Sequence, residues 1–352
     1  MSDDNHASAS KAYPFKFTGS GGEFFKIWLV NILLTIITVG IYSAWAKVRT
    51  LRYFYGNTIL HQASFEYLAS PVQILKGRII AVVLFIVFGF VSSLNPLIAI
   101  ALLFLFMFAT PYIVIRAIRF QHRMSAYKNI RFDFDGQLGE GFMVYLVWPF
   151  LSTFTAGLLY PFVHQKLVAF YMSNSRYGTA QFKSTADIGS FYKLYLILFA
   201  MIVGVIVLGA IIISTMGMSF SQDVEAFKEH SFTIIAGAYG AMFVLYFIIY
   251  AFVSSLITNL IMNTLILNES IHFRSKLPLL GMAWLLFTNT LLIVFTLGLA
   301  YPWAKVRLAH YRAERTHVVT AASLDEFLGS DVANSTALGD EVAGMFDVDV
   351  AV

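Results

Sequence analysis

Seven stretches of the chain are long, apolar and nearly free of charged side chains. They lie at residues 24–46, 79–94, 96–115, 142–163, 194–215, 232–257 and 280–304. About 20 apolar residues in a helix span the roughly 30 Å hydrocarbon core of a bilayer. Backbone N–H and C=O groups in hydrocarbon need partners inside the protein, so we expect each stretch to be helical. The pattern predicts an all-α polytopic membrane protein with about seven hydrophobic helices.

Short motifs recur along the chain at fixed distances. A gapless shift of 117 residues moves the Phe-Lys-Phe of residues 15–17 onto the Phe-Asp-Phe of residues 132–134. The same shift moves the Thr-Val-Gly of residues 38–40 onto the Thr-Ala-Gly of residues 155–157. The string Trp-Ala-Lys-Val-Arg stands at residues 45–49 and again at 303–307. The alternating aromatic motifs predict short strands beside the membrane, and the glycines predict breaks in the helices that follow.

These recurrences predict an internal repeat of two full three-helix units and a partial third. The predicted organisation is a disordered N-terminus at 1–14, repeat units at 15–131, 132–272 and 273–318, and a tail at 319–352. The tail is acidic, without Lys or Arg, and rich in Ala, Gly and Ser. Such a composition buries too little apolar surface to fold alone, so we expect it to be disordered.

Two membrane topologies fit this pattern, with the C-terminus cytoplasmic in both. If all seven stretches cross, 15 of the 24 Lys and Arg residues lie inside, and successive units are inverted, as in many transporters. If the first helix of each unit is re-entrant, 23 lie inside and only Lys228 lies outside, which the positive-inside rule favours. Helix length favours seven crossings. We therefore predict seven spans, with the re-entrant arrangement as the alternative.

The recurring motifs also carry a family resemblance. The aromatic-glycine entry, the Thr-x-Gly break and the Trp-Ala-Lys-Val-Arg string resemble the YjgN-like family of bacterial inner-membrane proteins, over roughly residues 13–318. The resemblance implies a location in the bacterial cytoplasmic membrane. It implies no reaction, substrate or catalytic residue. The second unit departs from the pattern, since Phe-Val-His-Gln-Lys replaces the basic string at residues 162–166.

Neutral polar side chains within the apolar stretches form the first set of candidate functional residues. Their spacing places the first three on one helix face, and the others repeat these positions in later units. The set is Asn31, Thr35, Thr38, Thr155, Asn289 and Thr296. Such residues bond neighbouring helices at roughly 0.6 kcal/mol each. Helix packing and a solute-lining face are both open interpretations.

Basic and aromatic side chains of the Trp-Ala-Lys-Val-Arg string form the second set. Aromatic rings favour headgroup depth, and basic side chains reach lipid phosphates. The residues predicted to contact lipid at the interface are Trp45, Lys47, Arg49, Trp303, Lys305 and Arg307. They serve either as topological anchors or as a specific lipid site.

Composition narrows the possible functions. Hydrophobic residues make up 58% of the chain and charged residues 12%, well below the roughly 25% charge of soluble domains. The chain has no cysteine, no His-Glu-x-x-His motif and no phosphate-binding loop. We therefore predict no metal, no cofactor, no catalytic residue and a non-enzymatic role, with membrane lipids rather than nucleic acid as partners. A small-solute transporter or channel and a lipid-interacting or membrane-organising protein are the two functional hypotheses.

Overall fold

The computed structural model describes residues 11–215 and 224–321. The strands are β1 (Lys11–Phe17), β2 (Thr58–Leu60), β3 (Ala63–Tyr67), β4 (Ser125–Tyr127), β5 (Ile130–Phe134), β6 (Ser175–Tyr177), β7 (Ala180–Ser184), β8 (Leu265–Leu267), β9 (Ile271–Ser275) and β10 (Thr316–Thr320). The helices are α1 (Gly21–Ile37), α2 (Ser43–Gly56), α3 (Pro71–Leu94), α4 (Pro96–Arg123), α5 (Leu138–Phe142), α6 (Trp148–Thr153), α7 (Tyr160–Ser173), α8 (Ile188–Thr215), α9 (Val224–Phe252), α10 (Thr258–Asn263), α11 (Leu279–Phe295) and α12 (Tyr301–Ala313). Two π-helical segments, Met143–Val147 and Val253–Ile257, join α5 to α6 and α9 to α10.

The strands of the described residues form one closed antiparallel barrel. Each strand pairs with its neighbours in the chain, and β1 closes the barrel by pairing with both β2 and β10. The strands have only 3–7 residues, fewer than the 9–11 that a strand needs to cross a bilayer. The barrel is therefore a short ring that carries the helices at one end.

Five successive segments of the chain share one order of elements: a first strand, one or more helices and a second strand. The five segments are 11–60, 63–127, 130–177, 180–267 and 271–320. Tight turns join them. At His61-Gln62 and Lys128-Asn129 both turn residues have positive φ, between 42° and 65°. This geometry matches the right-handed twist of the paired strands, so each turn passes the chain directly into the next segment.

Side-chain hydrogen bonds tie each segment to the one that follows. Arg52 donates to the carbonyl oxygen of Ala69 at 3.1 Å, and Arg119 donates to that of Gly136 at 3.3 Å. Equivalent bonds join Gln165 to Ala186, Asn259 to Leu277 and His310 to Gly19. The last of these connects the fifth segment to the first. These bonds satisfy backbone carbonyls at the strand ends and reinforce the closure of the ring.

The first, third and fifth segments contain short helical hairpins. α1 has 17 residues, about 25 Å of helix, which falls short of the bilayer core. The chain then reverses at Val39 and Gly40, both with positive φ. The Tyr53 hydroxyl at the end of α2 donates to the carbonyl oxygen of Ser20, just before α1, at 2.8 Å. Both ends of the hairpin therefore lie at the barrel.

The second and fourth segments contain the longest apolar helices. Within the described residues four helices are long and apolar enough to cross a membrane: Pro71–Leu94, Pro96–Arg123, Ile188–Ile211 and Tyr239–Asn263. The predicted all-α fold with seven spans is therefore wrong. Residues 24–46, 142–163 and 280–304 each include a glycine turn, so an apolar run long enough to cross holds two shorter antiparallel helices. The barrel was missed because the two strands of each segment pair with one another although the helices of that segment lie between them in the sequence.

The strand positions predicted from the aromatic motifs at residues 15–17 and 132–134 lie within β1 and β5. The ordered region extends beyond the boundaries predicted for the termini. β1 begins at Lys11 and β10 ends at Thr320, so both strands include residues that the sequence assigns to the flanking segments. The remainder of the predicted N-terminal segment and of the acidic tail lies outside the described residues.

Candidate functional site

Five phenylalanines, one from the first strand of each segment, line the inside of the barrel. They are Phe15, Phe65, Phe132, Phe182 and Phe273. Each lies opposite an apolar residue or tyrosine of the second strand in its own segment, in the pairs Phe15–Leu60, Phe65–Tyr127, Phe132–Tyr177, Phe182–Leu267 and Phe273–Val318. Side chains alternate between the two faces of a strand, so the charged residue after each phenylalanine faces outward. The result is an aromatic interior with a charged exterior.

The phenylalanines are only half-buried because they face a cavity of about 500 Å³. This volume lies within the range of pockets that hold small ligands, about 300–1,000 Å³. A second cavity of about 390 Å³ shares Phe15, Thr58, Phe65 and Phe132 with the first. The two cavities together form one mainly apolar interior space.

The end of the barrel beside the inter-segment turns is filled by a buried apolar cluster. The cluster contains Leu60, Tyr127, Ile130, Tyr177, Ala180, Leu267, Ile271 and Val318. The hydroxyl of Tyr127 donates to the carbonyl oxygen of Leu60 at 2.6 Å, and that of Tyr177 donates to the carbonyl oxygen of Tyr127 at 3.0 Å. The phenol groups thus bond across neighbouring segments, and the cluster forms the floor of the cavity.

The opposite end of the cavity reaches the last turns of the helices. Met262 of α10 and Ala309, Arg312 and Ala313 of α12 line this part. Burial lowers the pKa of the Arg312 guanidinium, while nearby Tyr250 acts in the opposite direction. Arg312 lines the cavity and is nevertheless an exposed residue. The cavity therefore runs from an apolar floor to a cationic group at its helical end.

The second cavity contains polar groups that bond within the protein. The ring nitrogens of His122 lie 3.0 Å from the carbonyl oxygen of Ile118 and 3.0 Å from Ser175 Oγ. The hydroxyls of Tyr55 and Ser125 lie 3.1 Å apart. Bonds of this kind hold the helix ends against the strands and leave these groups less free to bind a ligand.

The predicted intramembrane polar residues lie in the helical hairpins, away from the barrel cavity. Thr38, Thr155 and Thr296 occupy equivalent turns, where each hydroxyl donates to a carbonyl one turn earlier and accepts from an N–H four residues later. Thr35 donates to the carbonyl oxygen of Asn31 at 2.6 Å. The structure thus places the threonines within local hydrogen bonds of the hairpins.

The two asparagines of the set join the helices of a hairpin. Asn31 donates to the carbonyl oxygen of Ala46 at 3.4 Å, and Asn289 donates to that of Ala304 at 3.1 Å. Arg307 also donates to Asn289 Oδ1 at 2.8 Å. Each asparagine is buried, so these bonds lie between packed helices.

The predicted interfacial residues lie on the second helices of the first and fifth hairpins. Arg49 donates to the Tyr42 hydroxyl at 3.0 Å, and Lys47 is exposed. Trp45 and Trp303 are partly exposed, and Trp303 packs against Phe25 with ring centroids 4.9 Å apart. The ammonium of Lys305 lies 4.7 Å from the ring centroid of Phe54. The set therefore combines exposed basic groups with aromatic packing between the first and last segments.

Sequence reasoning missed the five phenylalanines and Arg312. A signal for the phenylalanines exists, because each is followed by a charged residue: Lys16, Glu66, Asp133, Lys183 and Arg274. Arg312 has no such signal, since a basic residue near the end of an interfacial helix is common. Among the described residues no group of three His, Asp or Glu side chains is arranged to hold a metal ion.

These features define a membrane protein in which long helix pairs and short helical hairpins rise from one closed, apolar barrel. The chain belongs to the family described as "Bacterial protein of unknown function (DUF898)", which matches residues 12–345. It is 26% identical to "Inner membrane protein YjgN" of Salmonella typhimurium over 361 residues, covering 90% of each chain. It is 26% identical to the protein of that name in Escherichia coli K12, covering 88% of this chain and 89% of that one. The family resemblance seen in the sequence is thus confirmed. No solved structure shows a significant match.

Proposed function

We propose that this protein is a lipid-binding protein of the bacterial inner membrane, and that its barrel holds the apolar chain of a lipid. The apolar cavity between the five phenylalanines is the observation that carries the proposal. Burial of each methylene group stabilises a bound chain by about 0.8 kcal/mol. Water in such a cavity would find few polar partners, so a hydrocarbon chain is the better occupant.

The exposed apolar tips of the hairpins support a position of the cavity close to the bilayer, its source of lipid. Val39 at the first tip is 93% exposed and Leu297 at the third is 94% exposed, and Phe154 of the second is 74% exposed. Apolar side chains so exposed at the ends of hairpins favour insertion into hydrocarbon. The barrel then lies at the membrane surface, with the helical end of its cavity directed toward the bilayer.

The proposed orientation has four spans, with the barrel and both termini in the cytoplasm. The hairpins dip into the bilayer and return, as the re-entrant arrangement requires. Two connections then lie on the periplasmic side, one at Asn95 between α3 and α4 and one between the spans of α8 and α9. The first carries no basic residue and the second carries only Lys228, of the 24 Lys and Arg residues in the chain. The positive-inside rule supports this orientation. The names of the relatives support the inner membrane as the location.

A small-solute channel is the less favoured alternative. The buried cluster at the floor of the barrel leaves the cavity without a through path at that end, and the apolar lining would exclude an aqueous solute. The threonine hydroxyls of the predicted solute-lining face donate to carbonyls of their own helices. A binding role also needs no catalytic group, in keeping with a non-enzymatic protein.

A cavity-filling variant tests the proposal with a neutral probe. Ala313 lines the cavity, so Ala313→Phe displaces about two methylene groups of a bound chain. We expect about tenfold weaker binding of a fluorescent long-chain alcohol to the detergent-purified protein. Ala12→Phe, at an exposed position on β1, is the matched control and leaves binding unchanged.

Thermal unfolding of each variant shows whether the fold is intact. If Ala313→Phe does not fold, Ala309→Leu fills the same part of the cavity with a smaller side chain. Absence of alcohol binding to the unmodified protein would contradict the proposal, as would binding by a folded Ala313→Phe variant that equals the control.

A further inference from the structure

Arg312 occupies a position that recurs in the other segments. In four segments a hydroxyl on the first residue of the second strand donates to a helix carbonyl four residues earlier. The pairs are Thr58–Phe54, Ser125–Gln121, Ser175–Tyr171 and Thr316–Arg312, at 2.7–2.9 Å. In the fourth segment the same spacing from the second strand gives Ile261. Arg312 is thus the charged residue among the five at this position, and it lines the cavity of about 500 Å³.

The Arg312 guanidinium has no counter-charge within the described part of the chain. The nearest carboxylate in sequence, Glu314, pairs with Arg315 at 3.3 Å. No ion pair or side-chain hydrogen bond from Arg312 occurs among the described residues, and its other neighbours in the cavity are mainly apolar. Burial lowers the pKa of the Arg312 guanidinium and nearby Tyr250 acts in the opposite direction, while part of the side chain stays exposed. An anion beside the guanidinium would offset the cost of its burial.

We infer that the cavity selects an anionic amphiphile, whose carboxylate or phosphate group pairs with Arg312 and whose chain extends toward the five phenylalanines. The inference rests on the proposed function, because it assigns the head of the same bound lipid. A guanidinium presents paired N–H donors that match the two oxygens of a carboxylate or phosphate. In the low-polarity surroundings of the cavity such a pair is stronger than in water.

The positions of the two ends fix the direction of the ligand. Arg312 lies on the last turn of α12, at the helical end of the cavity, and the apolar floor lies at the other end. The head therefore stays toward the membrane surface while the end of the chain lies among the aromatic rings.

Paired probes test the inference on the full-length protein in detergent. A fluorescent sixteen-carbon carboxylic acid and the alcohol of the same chain differ only in charge and head group. We expect Arg312→Gln to weaken binding of the acid by about tenfold or more and to leave binding of the alcohol unchanged. Arg312→Lys keeps the charge but loses the paired donors, so it should give a smaller loss for the acid. Arg274→Gln, on the outer face of β9, is the matched control and should change neither.

Three outcomes would overturn the inference: no loss of acid binding in Arg312→Gln, an equal loss for both probes, or an equal loss of acid binding in Arg274→Gln. Failure of the alcohol to bind the unmodified protein would instead contradict the proposed function itself. Displacement of the fluorescent acid by lysophosphatidate would show that the site accepts a phosphate head group. Failure of lysophosphatidate to displace it would show a preference for a carboxylate, and either result supports an anionic amphiphile. Displacement of the acid by inorganic phosphate, against chloride at equal ionic strength, would show a site for free anions and overturn the assignment to a lipid.

Discussion

At the scale of single residues, three glycines decide where the chain turns back. Gly40, Gly157 and Gly298 have φ of 91°, 84° and 91°, a region that glycine enters without steric cost. The N–H of each glycine bonds to a carbonyl five residues earlier, as in a Schellman ending of a helix. The threonine two residues before each glycine bonds the backbone on both sides of the turn. These local contacts convert one apolar run into a hairpin.

Replacing one of these glycines by alanine tests the turn without disturbing any packing. No atom lies within 4 Å of a Cβ built on Gly298, so the cost of Gly298→Ala is that of the backbone conformation alone. We expect the free energy of unfolding in detergent to fall by about 1–2 kcal/mol. Gly89→Ala, in the middle of α3 and equally free of neighbours, should be neutral or slightly stabilising. Equal stability of the two variants would contradict the role of the turn.

The residues that the sequence reveals are those whose role is local. The Thr-x-Gly breaks and the aromatic strand motifs were predicted because their signals lie within a few adjacent positions. The ring of phenylalanines depends on pairing between residues such as Phe65 and Tyr127, which are separated by two membrane helices. Arg312 could not be predicted as a site residue, since its significance lies in its place in the lining of an apolar cavity that forms only on folding.

At the scale of elements, a membrane span differs from a hairpin in the length of each single helix. An apolar run that contains a turn holds two helices, and each of them is shorter than the run. Residues 24–46 are long enough for one crossing, but α1 alone has 17 residues and its partner α2 returns to the same level. Hydropathy measures the apolar run and does not detect its reversal. A length of about 20 apolar residues is enough for one span, so the sequence predicted seven spans. Three of the seven apolar stretches are hairpins in the structure.

Single cysteines distinguish these elements, because the chain has no cysteine of its own. Ser64 is exposed on the outer face of the barrel, and Ser93 is exposed near the end of α3. We expect an impermeant thiol reagent to label Ser64→Cys from the cytoplasm and Ser93→Cys from the periplasm. Val39→Cys at the hairpin tip should resist labelling from both sides. The reagent reacts with the thiolate, and a thiol surrounded by hydrocarbon stays protonated. Labelling of Ser64→Cys and Ser93→Cys from one side would contradict the proposed topology.

At the scale of the whole molecule, closure of the ring creates the cavity. A single segment cannot form the cavity, because it contributes only one phenylalanine and one facing residue to the wall of the barrel. The hydrogen bond from His310 to Gly19 and the pairing of β1 with β10 join the first and fifth segments and close the ring. Two segments extend into long helices and three into hairpins. In the proposed orientation the long helices anchor the barrel and the hairpins insert into the bilayer.

Photolabelling from inside the cavity tests the central claim most directly. A neutral long-chain alcohol with a diazirine at the end of its chain would be bound to the purified protein, irradiated and mapped by peptide mass spectrometry. We expect labels on barrel residues such as Phe65, Phe182 and Leu265, and we expect unlabelled alcohol to compete for them. Labels confined to exposed helix residues such as Phe85 and Phe104, with none inside the barrel, would contradict a bound chain in the cavity.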